Sequence, residues 1–453
     1  MRERHAVKNR RQFVQELGTG LGAAAFLSGL GRASLLEAAQ ADAATDYRAL
    51  VCVFLFGGND SNNMVIPYDD YASYQKVRGT NLTIAKSALL KVDSASQKAA
   101  LGLHPSLVEL QALYARKSLA VLANVGTLAG PLTRAQYLAG GSRPESLFSH
   151  SDQQAQWQSA VVSSTDPLAL TGWGGRTADN LASLNGVSFP MLVSTAGLTP
   201  FTTGVHAQPL VPGGALQGFS TSATSKARYD ALVRLLTLDR EAKLVDASST
   251  ISQTAIESSI ALNTALTGAT PLKTVFPTTS LGNQLKTIAT ILSIRGTLKM
   301  NRQIFFASLG GFDTHTGQLA TQATLLTQVS QALGAFYAAT VEMGISPGVT
   351  AFTLSDFART FQPNGGGGTD HAWGSHHFVV GGSVKGGDFY GAYPNLTPGG
   401  PDDATSEGRW IPTTSVDQYG ATLAQWFGLS SGSLGSVFPN IGNFASSNVG
   451  FLA

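Results

Sequence analysis

Apolar runs of five to eight residues, several of them closed by a polar, glycine-rich tip, recur along this chain and set its expected architecture. Ala49–Phe56 is apolar at every position and is followed by Gly57-Gly58-Asn59-Asp60-Ser61-Asn62-Asn63. A strand apolar on both faces belongs in the middle of a parallel sheet, and its polar tip marks the carboxyl end, where open α/β sheets place their ligands. Leu119–Val125, Phe189–Ser194, Gln303–Leu309, Val349–Leu354 and Phe378–Gly382 read as further strands. Helical patterning falls between them: ahead of Arg116, from Ser149 past Trp157, from Thr171 onward, from about Gln318 to Met343, and over Val416–Phe427. The alternation predicts one three-layer α/β domain over residues 42–453 with a largely parallel central sheet.

Two stretches depart from that rhythm. Residues from about 200 to 280 are rich in Ser, Thr and Ala, with helical patterning from Lys226 to Leu266 and no strong strand, and read as a helical insertion or cap. The N-terminus carries Arg10-Arg11-Gln12-Phe13-Val14, a mild Gly/Ala-rich apolar stretch from Leu17 to Leu30, and small residues at Ala39-Gln40-Ala41. That order of basic region, apolar region and cleavage site reads as a Tat export signal over residues 1–41. A periplasmic or extracellular destination follows, with the Tat translocase as a partner during export.

The leader also carries most of the basic excess. It holds six of the 30 Lys/Arg and three of the 28 Asp/Glu, leaving 24 against 25 in the mature chain. No polybasic patch remains for nucleic acid, and no later apolar run is long enough to keep a membrane span after cleavage. Cys52 is the only cysteine, so no intrachain disulfide can form, and its apolar run places it in the core.

The candidate chemistry is concentrated late in the chain. Gly311-Phe-Asp313-Thr-His315, Leu354-Ser-Asp356-Phe-Ala-Arg359 and Thr369-Asp370-His371-Ala-Trp-Gly-Ser-His376-His377 together contain four of the eight histidines. Carboxylate oxygens and imidazole nitrogens suit hard or borderline divalent cations. Asp60, Asp313, His315, Asp356, Asp370, His371, His376 and His377 suffice for one or two ions (Zn, Mn, Mg or Ca). In an extended segment His376 and His377 point to opposite sides, so one of the two ligates. Ser149-His150-Ser151-Asp152 opens a helix. Ser149 with Asp152, or Ser151 with Gln154, would form a capping box or a near variant, while a serine at a helix N-terminus is also well placed as a nucleophile. Both readings stand, and the residues alone do not choose between Ser149 and Ser151 as the nucleophile. Arg359 either binds substrate oxygens or supports the site from behind.

Taken in order, the leader, Gly-Gly-Asn-Asp-Ser, the Ser-His segment before Trp157, Gly-Gly-Phe-Asp-Thr-His, Ser-Asp-Phe-Ala-Arg-Thr, Gly-Thr-Asp-His and Gly381–Gly387 resemble an exported, sulfatase-like bacterial family, domain of unknown function 1501. That family is similar in fold to the alkaline phosphatase and sulfatase superfamily, whose members hydrolyse phosphate or sulfate esters with metal assistance. The resemblance implies that Asp60 matches the first-strand metal ligand, and Asp313 and His315 the Asp and His of one ion's site. Asp356 falls where the superfamily has Asp-His, but Phe357 follows it. Asp370-His371 either replaces that pair or provides the late histidine. No Cys-x-Pro-x-Arg motif follows the second strand, so formylglycine chemistry is not expected. The function implied is an exported metal-dependent hydrolase acting on a small-molecule or polymer-borne phosphate or sulfate ester. The alternative is a non-catalytic exported binding or assembly protein that keeps the fold and one metal.

Overall fold

A computed structural model describes residues 46–187, 189–212 and 223–453, so the expected leader over residues 1–41 lies outside the described residues. The strands are β1 (Arg48–Leu55), β2 (Val65–Pro67), β3 (Leu90–Ser94), β4 (Ala99–Leu103), β5 (Leu119–Gly126), β6 (Leu192–Ser194), β7 (Arg302–Leu309), β8 (Val349–Ser355), β9 (Ser375–Gly381), β10 (Phe389–Tyr390) and β11 (Thr414–Ser415). The main sheet has the order β10-β5-β9-β8-β1-β7-β6, with β11 also paired to β5. β1 is an inner strand, parallel to both of its neighbours, β7 and β8. All other pairings in the sheet are parallel except those of β9, which runs antiparallel to β5 and β8.

Burial on both faces explains why β1 is apolar from Ala49 onward. Leu50, Cys52 and Phe54 point to one side, where they join Ile304, Phe306, Phe352 and Leu354 beneath Trp157, Trp173, Tyr419 and Phe427. The helix Val416–Phe427 lies on this side, started by a capping box in which Ser415 and Gln418 satisfy each other's backbone N–H groups. The helices Ser280–Ser293 and Gln318–Glu342 pack together on the opposite side, the first against β7 and the second reaching β9. Helix–sheet–helix layering follows, as the alternation requires. Cys52 is buried and unpaired, consistent with a role in the core.

Some boundaries differ from the sequence reading. β6 begins only at Leu192, because Pro190 within the expected strand has no N–H to give to a ladder. β9 begins at Ser375 rather than Phe378, which draws His376 and His377 into the sheet. The helical stretch from Lys226 to Leu266 is two helices, Ala223–Leu235 and Lys243–Thr267. A small antiparallel sheet, β2-β4-β3, went unanticipated, since its strands are short and mixed in polarity. Among the described residues no helix is long and apolar enough to cross a membrane.

Candidate metal centre

The parallel strands β1, β7 and β8 end together, and their tips bring three loops into contact. Gly57, directly after β1, has φ +113, and a Cβ there would lie 2.4 Å from the backbone nitrogen of Asp313. Only glycine lets the two loops approach so closely. Gly58 has φ +76 and faces the Phe357 ring, which a Cβ would meet at 2.4 Å.

At this edge three imidazoles converge on one carboxylate oxygen. Asp313 Oδ1 lies 3.4 Å from His150 Nε2, 3.0 Å from His315 Nε2 and 3.4 Å from His371 Nε2. His315 Nε2 and His371 Nε2 are themselves 3.0 Å apart. The donor atoms of His150, Asp313 and His371 all fall within 4.8 Å of one another.

The opposite ring nitrogens are each held by an acceptor. His150 Nδ1 meets Asp356 Oδ2 at 2.7 Å, His315 Nδ1 meets Asp370 Oδ1 at 2.9 Å, and His371 Nδ1 meets the Phe148 carbonyl at 2.7 Å. Carboxylate and carbonyl oxygens only accept, so each Nδ1 is the donor there, and in the neutral ring each Nε2 presents a lone pair. Three lone pairs and an anionic oxygen facing one point repel one another unless a cation or protons lie between them. His150 Nε2 is moreover buried with no hydrogen-bond partner. Outward Nδ1–H bonds to carboxylate or carbonyl are the support that metal-binding histidines ordinarily have. The residues present therefore fit a divalent cation.

The surrounding charges favour the anionic form of Asp313. Burial opposes its ionisation, but Arg359 and then His315 and His150 outweigh it and hold its pKa below the usual carboxylate value. His371 is shifted down as well, first by burial and then by the charges of His150 and Arg359, against the pull of the Phe148 carbonyl. The Phe357 ring stacks on His371 with centroids 4.7 Å apart and lies 4.9 Å from His150. Phe148 has φ +75, an uncommon conformation for a non-glycine residue, and it is this residue whose carbonyl holds His371.

The other expected ligands stand elsewhere. Asp60 is fully buried, its two oxygens each 2.7 Å from Arg78 Nη2, and Oδ2 also accepts from Gln318. Asp356 accepts from His150, Gln154 and the Gly57 N–H, which places it behind the His150 ring, at the nitrogen away from Asp313. Asp370 does the same for His315, steadied by Asn364. His376 and His377 lie inside β9, where burial pushes each down to about 3. His376 accepts from the Asn124 N–H and stacks on Tyr393, while His377 sits between Trp157 and Tyr419. Both are neutral core residues away from the cluster.

Arg359 is wholly buried and donates to the Thr369 and Gly57 carbonyls and to Asp313, so it orients Asp313 and has no free face for substrate. Ser149 is the N-cap residue of the helix His150–Ser159, but its side chain caps no backbone N–H. Its hydroxyl donates to Asp152 and lies 3.3 Å from that of Ser151. His150 was not among the candidate ligands expected from the sequence. The available signal was its spacing from Gln154: four residues apart on one helix face, the two converge on Asp356 Oδ2.

Three solved structures illustrate what the chain is similar to. The lipoteichoic acid synthase LtaP from Listeria monocytogenes aligns with a TM-score of 0.34 at 9% identity, over 86% of this chain and 74% of that one. The C-terminal periplasmic domain of EcEptC from Escherichia coli aligns at 0.33 and 11% identity, over 85% and 83%. The PsFucS1 sulfatase from Pseudoalteromonas sp. aligns at 0.34 and 10% identity, over 88% and 70%. No curated protein matches the sequence. Residues 47–407 match the family described as protein of unknown function (DUF1501), and the chain belongs to that family.

Proposed function

We propose that this protein is an exported, metal-dependent hydrolase of phosphate or sulfate esters. The observation that supports this reading most directly is the convergence of His150, His315 and His371 Nε2 on Asp313 Oδ1, with every Nδ1 held from behind. A divalent cation bound there would supply Lewis acidity to the ester oxygens and charge stabilisation to the transition state. The chain's own residues do the positioning. Arg359 fixes Asp313, Asp356 and Asp370 fix the His150 and His315 rings, and Phe357 packs against His150 and His371. Ser149 is the favoured nucleophile and Ser151 the second candidate, because the Ser149 hydroxyl already has in Asp152 an acceptor for the proton it must lose on attack. The twin arginines at Arg10 and Arg11 support export by the Tat route.

A second reading, a binding or assembly protein that keeps the metal without turnover, draws on Phe357, an aromatic ring stacked against the cluster where the resemblance leads one to expect a histidine. Hydrolysis of aryl phosphate and aryl sulfate by the metal-loaded mature chain separates the two. Turnover that disappears in Asp313→Ala and on chelation supports the hydrolase. Tight metal binding without turnover of either ester supports the second reading.

A further inference from the structure

We infer that the centre takes a single ion of borderline, zinc-like character, bound by His150, Asp313, His315 and His371, and that the carboxylates a second ion would need are already engaged, Asp60 by the buried Arg78 guanidinium and Asp356 and Asp370 by the imidazoles they hold. This rests on the cluster being a metal centre, but not on its hydrolysing anything. The first support is metric. Zinc bonds to imidazole nitrogen and carboxylate oxygen are about 2.0–2.2 Å, so the edges of a tetrahedral donor set are about 3.3–3.6 Å. Four of the six edges of this set are 3.4, 3.0, 3.4 and 3.0 Å, close to those values, and His150, Asp313 and His371 have their donor atoms within 4.8 Å of one another. Three imidazoles to one carboxylate is also a nitrogen-rich set. It favours zinc-like ions over magnesium or calcium, which require oxygen donors.

The second support concerns what is left for another cation. Asp60 is the expected ligand nearest the tip of β1, and both its oxygens are occupied by Arg78. Its Oδ2 continues through Gln318 to Thr369, and Thr369 in turn accepts from Arg359 Nε. Arg359 Nη1 closes the chain on Asp313 Oδ1 at 2.9 Å. Between Asp60 and Asp313 there is thus a continuous path of hydrogen bonds anchored by two buried, fixed positive charges. The side chains of Arg78, Asp60 and Arg359 are each 0% exposed, so the pairing is not exchanged for water. Asp356 and Asp370 are committed to His150 and His315. Among the described residues of this cluster, the carboxylates outside the four-donor set are all engaged.

The test uses the purified mature chain, stripped with a chelator and titrated with zinc, with metal content measured after removal of unbound ion. One zinc per chain is expected, and a cobalt-substituted sample should show the intense visible absorption of tetrahedral coordination. His150→Ala should weaken zinc binding by at least 100-fold while circular dichroism and the metal-free melting temperature remain those of the parent. Should that variant fail to fold, the wild-type stoichiometry and cobalt spectrum still decide. Two ions per chain, no binding, a weak octahedral-type spectrum, or unchanged affinity in a folded His150→Ala would each overturn the inference. None of these readouts depends on turnover, so failure of the hydrolase reading is recorded separately by the ester assays.

Discussion

Asp370 holds His315 and does not compete with it: its Oδ1 lies 2.9 Å from His315 Nδ1, on the far side of the ring from the Nε2 that faces Asp313. Adjacent Asp and His in sequence thus divide between two roles, since His371 faces the centre and Asp370 supports a different imidazole. Loss of such an outer partner costs about 10–100-fold in metal affinity. Asp370→Ala should therefore weaken zinc binding in that range, measured by competition with a chromophoric chelator. The Asp370 side chain is half exposed, so the metal-free protein should melt as the parent does.

Asp60 should prove structural. Its ion pair with Arg78 is fully buried, and removing one partner of such a pair costs about 3–5 kcal/mol because the other charge is stranded. Asp60→Ala should lower the urea midpoint accordingly and leave zinc stoichiometry unchanged in the protein that remains folded. A loss of bound zinc without a loss of stability would return Asp60 to the ligand set.

His377 offers a pH test. Burial pushes its imidazole down to about 3, while an unfolded histidine titrates near 6.5. Between those values the unfolded chain takes up a proton that the folded chain refuses, so the stabilising contribution is complete above about pH 6.5 and declines as pH falls toward 3. His377→Phe fits the surrounding Trp157 and Tyr419 rings and removes that proton uptake. Urea unfolding at pH 7 and pH 4.5 should show a smaller loss of stability for the variant than for the parent, with metal binding intact.

Gly58 tests the aromatic wall. A methyl group there meets the Phe357 ring at 2.4 Å on a backbone with φ +76. Overpacking of this kind costs about 1–3 kcal/mol, and because Phe357 stacks on His371, Gly58→Ala should also weaken zinc binding. Thermal melts with and without zinc check both effects.

Much of the scaffold was legible because its periodicities are strong. The expected Ala49–Phe56 and Val349–Leu354 runs became β1 and β8 within a residue or so, and the helices ending near Met343 and at Phe427 also fell in place. Asp313 and His315 were recognisable as candidates from their position after a strand, and His371 from the Asp/His cluster ahead of the next one. The divisions among the remaining residues were not legible, because they depend on distant partners. Nothing near Asp60 in sequence announces Arg78, 18 positions on, as its buried partner. His376 and His377 look like ligands until β9 is seen to begin one residue earlier than they do and to run antiparallel into the core. His150 was read with the serines beside it, since its Asp356 partner is 206 positions away.

The central claim is that the Asp313 cluster binds a metal that assists ester hydrolysis. It is tested most directly by assaying 4-nitrophenyl phosphate and 4-nitrophenyl sulfate with the mature chain before stripping, after stripping and after return of zinc, alongside Asp313→Ala. The account predicts hydrolysis of at least one ester that vanishes on stripping, returns with zinc and is missing from the variant. Hydrolysis that persists in the stripped protein, or in a folded Asp313→Ala, would contradict it.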